Sequence, residues 1–359
     1  MSNTLLSATR SQLVVDVDSM NPDVAARHTT STEHFCDMTS NQAIVYSEAV
    51  RAERATLFKE AVQQSQASSH DLNDHDQQRI VDDAADLFTV FLAKAVYPYL
   101  TGRVHAQTSP SIAYDTEKTI AHAKRLVSVF EANGIPKERV CIKIPATPES
   151  IIACQYLEKI GIRTLSTCLF STPQALAASQ AGCLYIAPYF NELRVHFEPE
   201  LWKEYKDTAK EHPMSLVIAD IVKAYKHMDT KTLIMPASIV TAAEVLALTS
   251  LNPDHLTLSG AVLDQLAAVP ASLSPSTASA HEPKLEHPFV DLPTPPANSL
   301  MTSETPALED ADYLASGASK LRDALVADKE STRKLADALK IFGEMEDKLK
   351  ELVRSELAA

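Results

Sequence analysis

Val140-Cys141-Ile142-Lys143-Ile144 reads as a β-strand with one residue in an unusual place. Side chains of a strand alternate between two faces. Val140, Ile142 and Ile144 share one face, suited to packing under helices; Cys141 and Lys143 share the other. Outward from this stretch, short strand-like runs alternate with longer helical ones. The other strands read as Leu13–Asp18, Glu33–Thr39, Gly102–Gln107, Arg163–Cys168, Leu184–Ala187, Thr232–Met235 and His255–Leu258, with Glu33–Thr39 the weakest. Helical composition covers Gln42–Gln66, Asp74–Leu100, Ser111–Asn133, Pro148–Ile160, Thr172–Ala181, Leu216–His227 and Ala242–Thr249. Repeated β-then-α units mean parallel strands joined by right-handed crossovers. Eight units over about 260 residues fit an α/β fold, a closed (β/α)8 TIM barrel. An open doubly wound sheet is the structural competitor.

Three segments follow from this pattern. Residues 1–270 form the barrel. Residues 271–306 are rich in Pro, Ser and Thr without periodicity and read as a linker or surface loop. Residues 307–359 carry Leu321, Leu325, Leu335, Leu339, Phe342, Met345, Leu349 and Leu352 at helical spacing, as C-terminal helices that pack on the barrel.

Composition narrows the function. Only 7 of 359 residues are glycine, and neither G-x-G-x-x-G nor G-x-x-x-x-G-K-[ST] occurs. A dinucleotide fingerprint and a P-loop are therefore excluded. Gly134, Gly161 and Gly182 each follow a helix, where a left-handed residue is wanted. The net charge of −14 argues against a nucleic-acid partner. No basic-then-apolar leader opens the chain, and the apolar stretch Leu87–Leu100 is broken by Lys94 and Pro98. A cytoplasmic protein with no membrane partner is expected. Cys36, Cys141, Cys154, Cys168 and Cys183 show neither C-x-x-C nor zinc-type Cys/His spacing. Disulfides, a structural metal and a cofactor are not expected.

Lys143 then stands out. An ammonium inside a barrel is costly unless it is paired or deprotonated. A lysine with lowered pKa is what Schiff-base catalysis needs. The bland alternative is a lysine that snorkels at the strand end or pairs with a carboxylate. In Leu13–Asp18 the same alternation turns Asp16 and Asp18 inward. Asn41, Gln107, Thr167, Tyr189 and Ser238 follow at or just beyond the carboxyl ends of the second, third, fifth, sixth and seventh strands. Barrel enzymes build their sites at that end.

The segment Gly102–Leu193 resembles the transaldolase family. It carries I-K-I-P-A-T (Ile142–Thr147), G-I (Gly161–Ile162), T-x-x-F-S (Thr167–Ser171) and Q-A-x-x-x-x-x-A-G (Gln174–Gly182) in the family's order. Thr232–Leu248 is similar to the family's M-G-A-S-F-R segment, and Asp37–Asn41 to its T-T-N-P. The resemblance spans about Leu13 to Leu266 and fits the C-terminal helices too. It implies a class I aldolase-type barrel with Lys143 as the Schiff-base lysine.

Departures from the family sharpen this. Its third-strand glutamate is Gln107 here; its asparagine two residues before the strand-five threonine is Leu165, followed by Ser166 and Thr167; its S-P-F is Ala187-Pro188-Tyr189. All three resemble the fructose-6-phosphate aldolase branch, in which the tyrosine performs the proton transfer. The family's two phosphate-binding cations fall at Glu192 and Val240, with Ser238 retained and Arg194 close by. Its proline after the asparagine is Gln42. The resemblance thus implies catalytic Lys143, Tyr189, Asp16, Gln107 and Thr167, with Asn41, Ser238, Thr39, Leu165 and Ser166 contacting substrate. Asp16 orients a donor hydroxyl or pairs with the lysine. The expected ligand is a small-molecule carbonyl compound without phosphate, in specialised metabolism, and the expected assembly is a homodimer. The alternatives are a pentose phosphate pathway transaldolase, a barrel repurposed or inactive as a binding protein, and a Lys143 that acts only as a cation.

Overall fold

The structure, a computed structural model, describes residues 4–68, 77–271 and 308–359. Apart from Ala271, the linker expected over 271–306 lies outside the described residues, as do Asp74–Asp76 of the expected long helix. The strands are β1 (Val14–Val17), β2 (Val104–Gln107), β3 (Val140–Pro145), β4 (Arg163–Leu169), β5 (Tyr185–Pro188), β6 (Leu233–Ile234) and β7 (His255–Leu258). β2 to β6 pair in chain order, and β1 pairs with β7, all in parallel. The ring closes on both sides. Asp254 N–H donates to Ile234 O at 3.1 Å, joining β7 to β6, and Met38 bridges Val17 and Val104, joining β1 to β2. This is the TIM barrel expected of the sequence.

The weak second strand survives only as bridges around Phe35 and Met38. Side chains explain why. Asp37 N–H donates to the Asp16 carboxylate at 2.8 Å, and Arg103 N–H to the Asp37 carboxylate at 2.6 Å. Two ladder donors are thus diverted to carboxylates, which compete with regular pairing. The helix expected over Gln42–Gln66 is also divided, into Gln42–Ala49 and Ala55–Ala67. The chain turns at Val50, where buried Glu48 takes the Arg54 guanidinium at 2.8 Å. Asp115 caps the helix Thr116–Ala132. Gly134, Gly161 and Gly182 have φ of +85°, +76° and +82°, as their places after helices required. Gly102 serves a close approach instead, for a Cβ there falls 2.0 Å from Asp37 Oδ1.

The barrel interior is layered. Toward the amino ends of the strands, Asp16, Asp37, His105, Tyr185 and His255 form a buried polar layer. His105 Nε2 lies 2.7 Å from Asp37 Oδ2, and His255 Nδ1 lies 2.8 Å from Asp16 Oδ2. Burial works against the Asp37 charge, but the His105 hydrogen bond and the neighbouring His255 and Arg103 hold its pKa below the usual carboxylate range. Its contribution to stability is complete above the unfolded value of about 3.9 and is lost as pH falls below it. Removing one partner strands the others, so Asp37→Ala is expected to cost about 3–5 kcal/mol. Urea unfolding at pH 7 checks this; a loss under about 1 kcal/mol contradicts it.

The last helix, Lys329–Leu357, runs 29 residues, about 43 Å at the α-helical rise. That length takes it across the rim of the barrel. Ser331 Oγ donates to Phe170 O at 3.3 Å, Arg333 pairs with Glu192 at 2.8 Å, and Glu346 accepts from Ser109 Oγ at 2.7 Å. Helix Ala315–Ala327 lies against helices Pro148–Lys159 and Thr172–Gln180. Among the described residues no helix is long and apolar enough to cross a membrane.

Candidate active site

Lys143 points into the barrel and is 2% exposed. It is flanked in register by Gln107 of β2 and Leu165 of β4. Residues opposite one another in a parallel ladder share a face, so these three form one level of the interior. Burial pushes the Lys143 ammonium pKa down, and Asp18 is the carboxylate that opposes the shift. Asp18 is held in turn by Thr39, whose Oγ1 donates to it at 2.6 Å and lies 2.5 Å from Thr257 Oγ1. Asp16 sits one layer deeper, its oxygens engaged by the Asp37 N–H and His255. The expected pairing of Asp16 with the lysine has no hydrogen bond or ion pair among the described residues; the carboxylate whose charge acts on Lys143 is Asp18, two residues further along the same face.

Above Lys143 lies Tyr189, 3% exposed, with the lysine Nζ 5.8 Å from its ring centroid. Thr167 Oγ1 donates to the Tyr189 hydroxyl at 3.2 Å, and Phe170 packs edge-on against the ring. Burial raises the Tyr189 pKa well above the ordinary phenol value, so the side chain is a neutral O–H donor. β4 is irregular here. Its register against β5 shifts between Ser166 and Leu169, and Cys168 has φ +51°. Bulges re-aim side chains beside sites. Simple alternation puts Cys168 under the helices, but its thiol interacts with Tyr189 and Lys143, and burial raises its pKa to about 12. Ser166 stays on the helix side, in register with Ile144 and Ile186, and its hydroxyl has no hydrogen bond among the described residues. It is thus turned away from Lys143.

The remaining positions lie around the mouth. Asn41 Oδ1 caps the helix Gln42–Ala49 by accepting from Ile44 N–H at 3.0 Å. Ser238 has φ +59°, and His196 Nε2 lies 2.8 Å from its hydroxyl. Burial lowers the His196 pKa. Glu192 is paired with Arg333, and Arg194 with Glu198 through two bonds of 3.1 and 2.7 Å. Cys168 and His196 were missed in the sequence; a register shift and a short 3-10 turn (Leu193–His196) leave no periodic signal. Asp16, Cys36 and His255 place donor atoms within 4.8 Å of one another. Asp16 already bonds to His255 and to the Asp37 N–H, and the Cys36 thiol donates to Asp37 Oδ1 at 3.4 Å.

The family model described as Transaldolase/Fructose-6-phosphate aldolase matches residues 15–339. A transaldolase of Alteromonas mediterranea is 31% identical over 323 residues, 90% of this chain and 91% of that protein. One from a Marinomonas species is 30% identical over 324 residues, 89% and 90% of the two. A Vibrio cholerae transaldolase is 32% identical over 237 residues, 66% and 72% of the two. A solved structure, the IMP dehydrogenase/GMP reductase-like protein of Corynebacterium glutamicum, aligns with TM-score 0.39 at 11% identity, covering 69% of this chain and 63% of that one, too distant a likeness to add to the others. The chain belongs to the transaldolase/fructose-6-phosphate aldolase family and is an enzyme of the aldolase and transferase kind.

Proposed function

We propose that this enzyme makes or breaks a C–C bond through a Lys143 iminium, on a carbonyl substrate that carries no phosphate. The inward, desolvated Lys143 beneath Tyr189 is the observation that carries the reading. Neutral Lys143 Nζ adds to a ketone carbonyl to give a carbinolamine, which takes up a proton from solvent and loses water to give the iminium. The iminium accepts the electron pair of the breaking C–C bond, or delivers it through the enamine in the reverse direction. In bond formation the Tyr189 phenol gives its proton to the aldehyde oxygen, and in cleavage it takes the proton back. Thr167 orients that phenol at 3.2 Å. Asp18, aligned by Thr39, orients a hydroxyl of the donor half. Leu165 supplies an apolar wall, and Asn41 and Ser238 meet further hydroxyls.

The lack of phosphate follows from charge. A phosphate wants Arg or Lys N–H groups in a fork. At the two positions where the family resemblance puts cations stand Glu192, already held by Arg333, and Val240. Arg194 is spent on Glu198, and Ser238 faces an imidazole whose pKa burial has lowered. A second reading, a transaldolase acting on sugar phosphates, is favoured by the names of the relatives and by Lys334, whose Nζ is 6.0 Å from the Phe170 ring and 3.5 Å from Glu330. Glyceraldehyde and its 3-phosphate, compared as acceptors for dihydroxyacetone, separate the two. The plain aldehyde is expected to match or exceed the phosphate ester in kcat/KM, and Val240→Arg to raise the value for the ester about tenfold, the worth of one charge-assisted hydrogen bond. A tenfold preference of the unaltered enzyme for the ester overturns the phosphate-free reading in favour of the second.

A further inference from the structure

Two departures from the family, Gln42 in place of its proline and Gln107 in place of its glutamate, touch each other. Gln42 is 8% exposed and opens the helix Gln42–Ala49. Its Nε2 donates to the backbone oxygens of Gln107 and Thr108 at 3.3 and 3.0 Å. Carbonyl oxygens only accept, so the Gln42 amide has one orientation. Its Oε1 is therefore an acceptor, and it takes the Gln107 Nε2 at 2.7 Å. That bond fixes the second amide in turn. One N–H of Gln107 Nε2 is thereby taken, and Oε1 is left buried without a hydrogen bond among the described residues. A buried acceptor with no donor calls for a ligand group or a water. Gln107 stands beside Lys143 in register, on the same interior face.

We propose that Gln42 is a positioning residue that locks the Gln107 amide so that Oε1 is offered to an O–H group beside Lys143 Nζ. The O–H belongs to the carbinolamine, or to the water that leaves it. When the carbinolamine collapses, the C–O bond breaks, the nitrogen lone pair forms C=N, and the hydroxyl takes a proton from solvent water and departs as water. Gln107 accepts a hydrogen bond from that oxygen and gains no proton. Without Gln42 the amide can turn either end toward the site, and the N–H end cannot accept. The proposal rests on the Schiff-base reading above.

A double-mutant cycle tests it. The rate of adduct formation with dihydroxyacetone, trapped by cyanoborohydride in a single turnover, is measured for the unaltered enzyme, Gln42→Met, Gln107→Ala and the double variant. Gln42→Met is expected to slow trapping about tenfold. In the Gln107→Ala background the same change is expected to alter the rate less than twofold. Gln42→Pro restores the family's residue at a helix position that tolerates proline, so it keeps the fold and is expected to slow trapping as much. Equal fold-losses in both backgrounds, or a Gln42→Pro enzyme that traps at the unaltered rate, overturn the proposal alone. An unaltered enzyme that forms no adduct with any ketone overturns it together with the Schiff-base reading.

Discussion

Lys143→Met is expected to abolish turnover, by about four orders of magnitude or more, and to leave a folded barrel. A nucleophile that forms a covalent intermediate has no substitute when its nitrogen is removed. Methionine is close in volume, so packing against Leu165 and Gln107 is kept. It also removes an ammonium that burial disfavours, so thermal stability is expected to hold or rise. The pH dependence follows from the same environment. Only the neutral amine attacks, so adduct formation rises with pH along one ionisation whose midpoint lies below the ordinary lysine value of about 10.4. The Asp18 charge favours the ammonium and partly opposes the effect of burial. Asp18→Asn removes that charge and is expected to move the midpoint further down. A pH–rate profile of trapping reads both; a midpoint that rises or stays in place in Asp18→Asn contradicts the assignment of Asp18 as the partner of Lys143.

Tyr189→Phe is expected to divide the reaction in two. The ring's contact with Phe170 and the space above Lys143 are preserved, and only the hydroxyl bonded to Thr167 is lost. Adduct formation with a ketone is expected to proceed within severalfold of the unaltered rate. Turnover, which needs a proton at the forming or breaking bond, is expected to fall about 10²- to 10⁴-fold. Equal losses in trapping and turnover contradict the assignment of Tyr189 as the proton-transfer group. Cys168, with its pKa raised to about 12 by burial, is a thiol at neutral pH and no replacement for the missing phenol.

The barrel was legible because burial imposes a period. An apolar face of Val140, Ile142 and Ile144 opposite the one that carries Lys143, and the turn glycines at 134, 161 and 182, are local signals, and the structure keeps them. What alternation could not resolve was depth. Asp16 and Asp18 both face inward, and a side-chain period of two says nothing about which one's charge acts on the lysine. That is decided by the His105–Asp37 and His255–Asp16 pairs, which fill the lower layer from four separate segments. Alternation also fails at Cys168, where one left-handed residue shifts the register of β4. The partners of Glu192 and Ser238 lie on the C-terminal helix and in the turn after β5, and no spacing rule joins them. Gln42 carried a signal as a departure from the family, but its meaning emerged only from the amide contact with Gln107.

The central claim is that Lys143 forms the imine. Incubation with dihydroxyacetone and borohydride, followed by intact mass and peptide mapping, measures this directly. One reduced adduct per chain is expected, on the peptide that contains Lys143, and none on Lys143→Met. An adduct on another lysine, or an unaltered enzyme that no ketone labels, contradicts it.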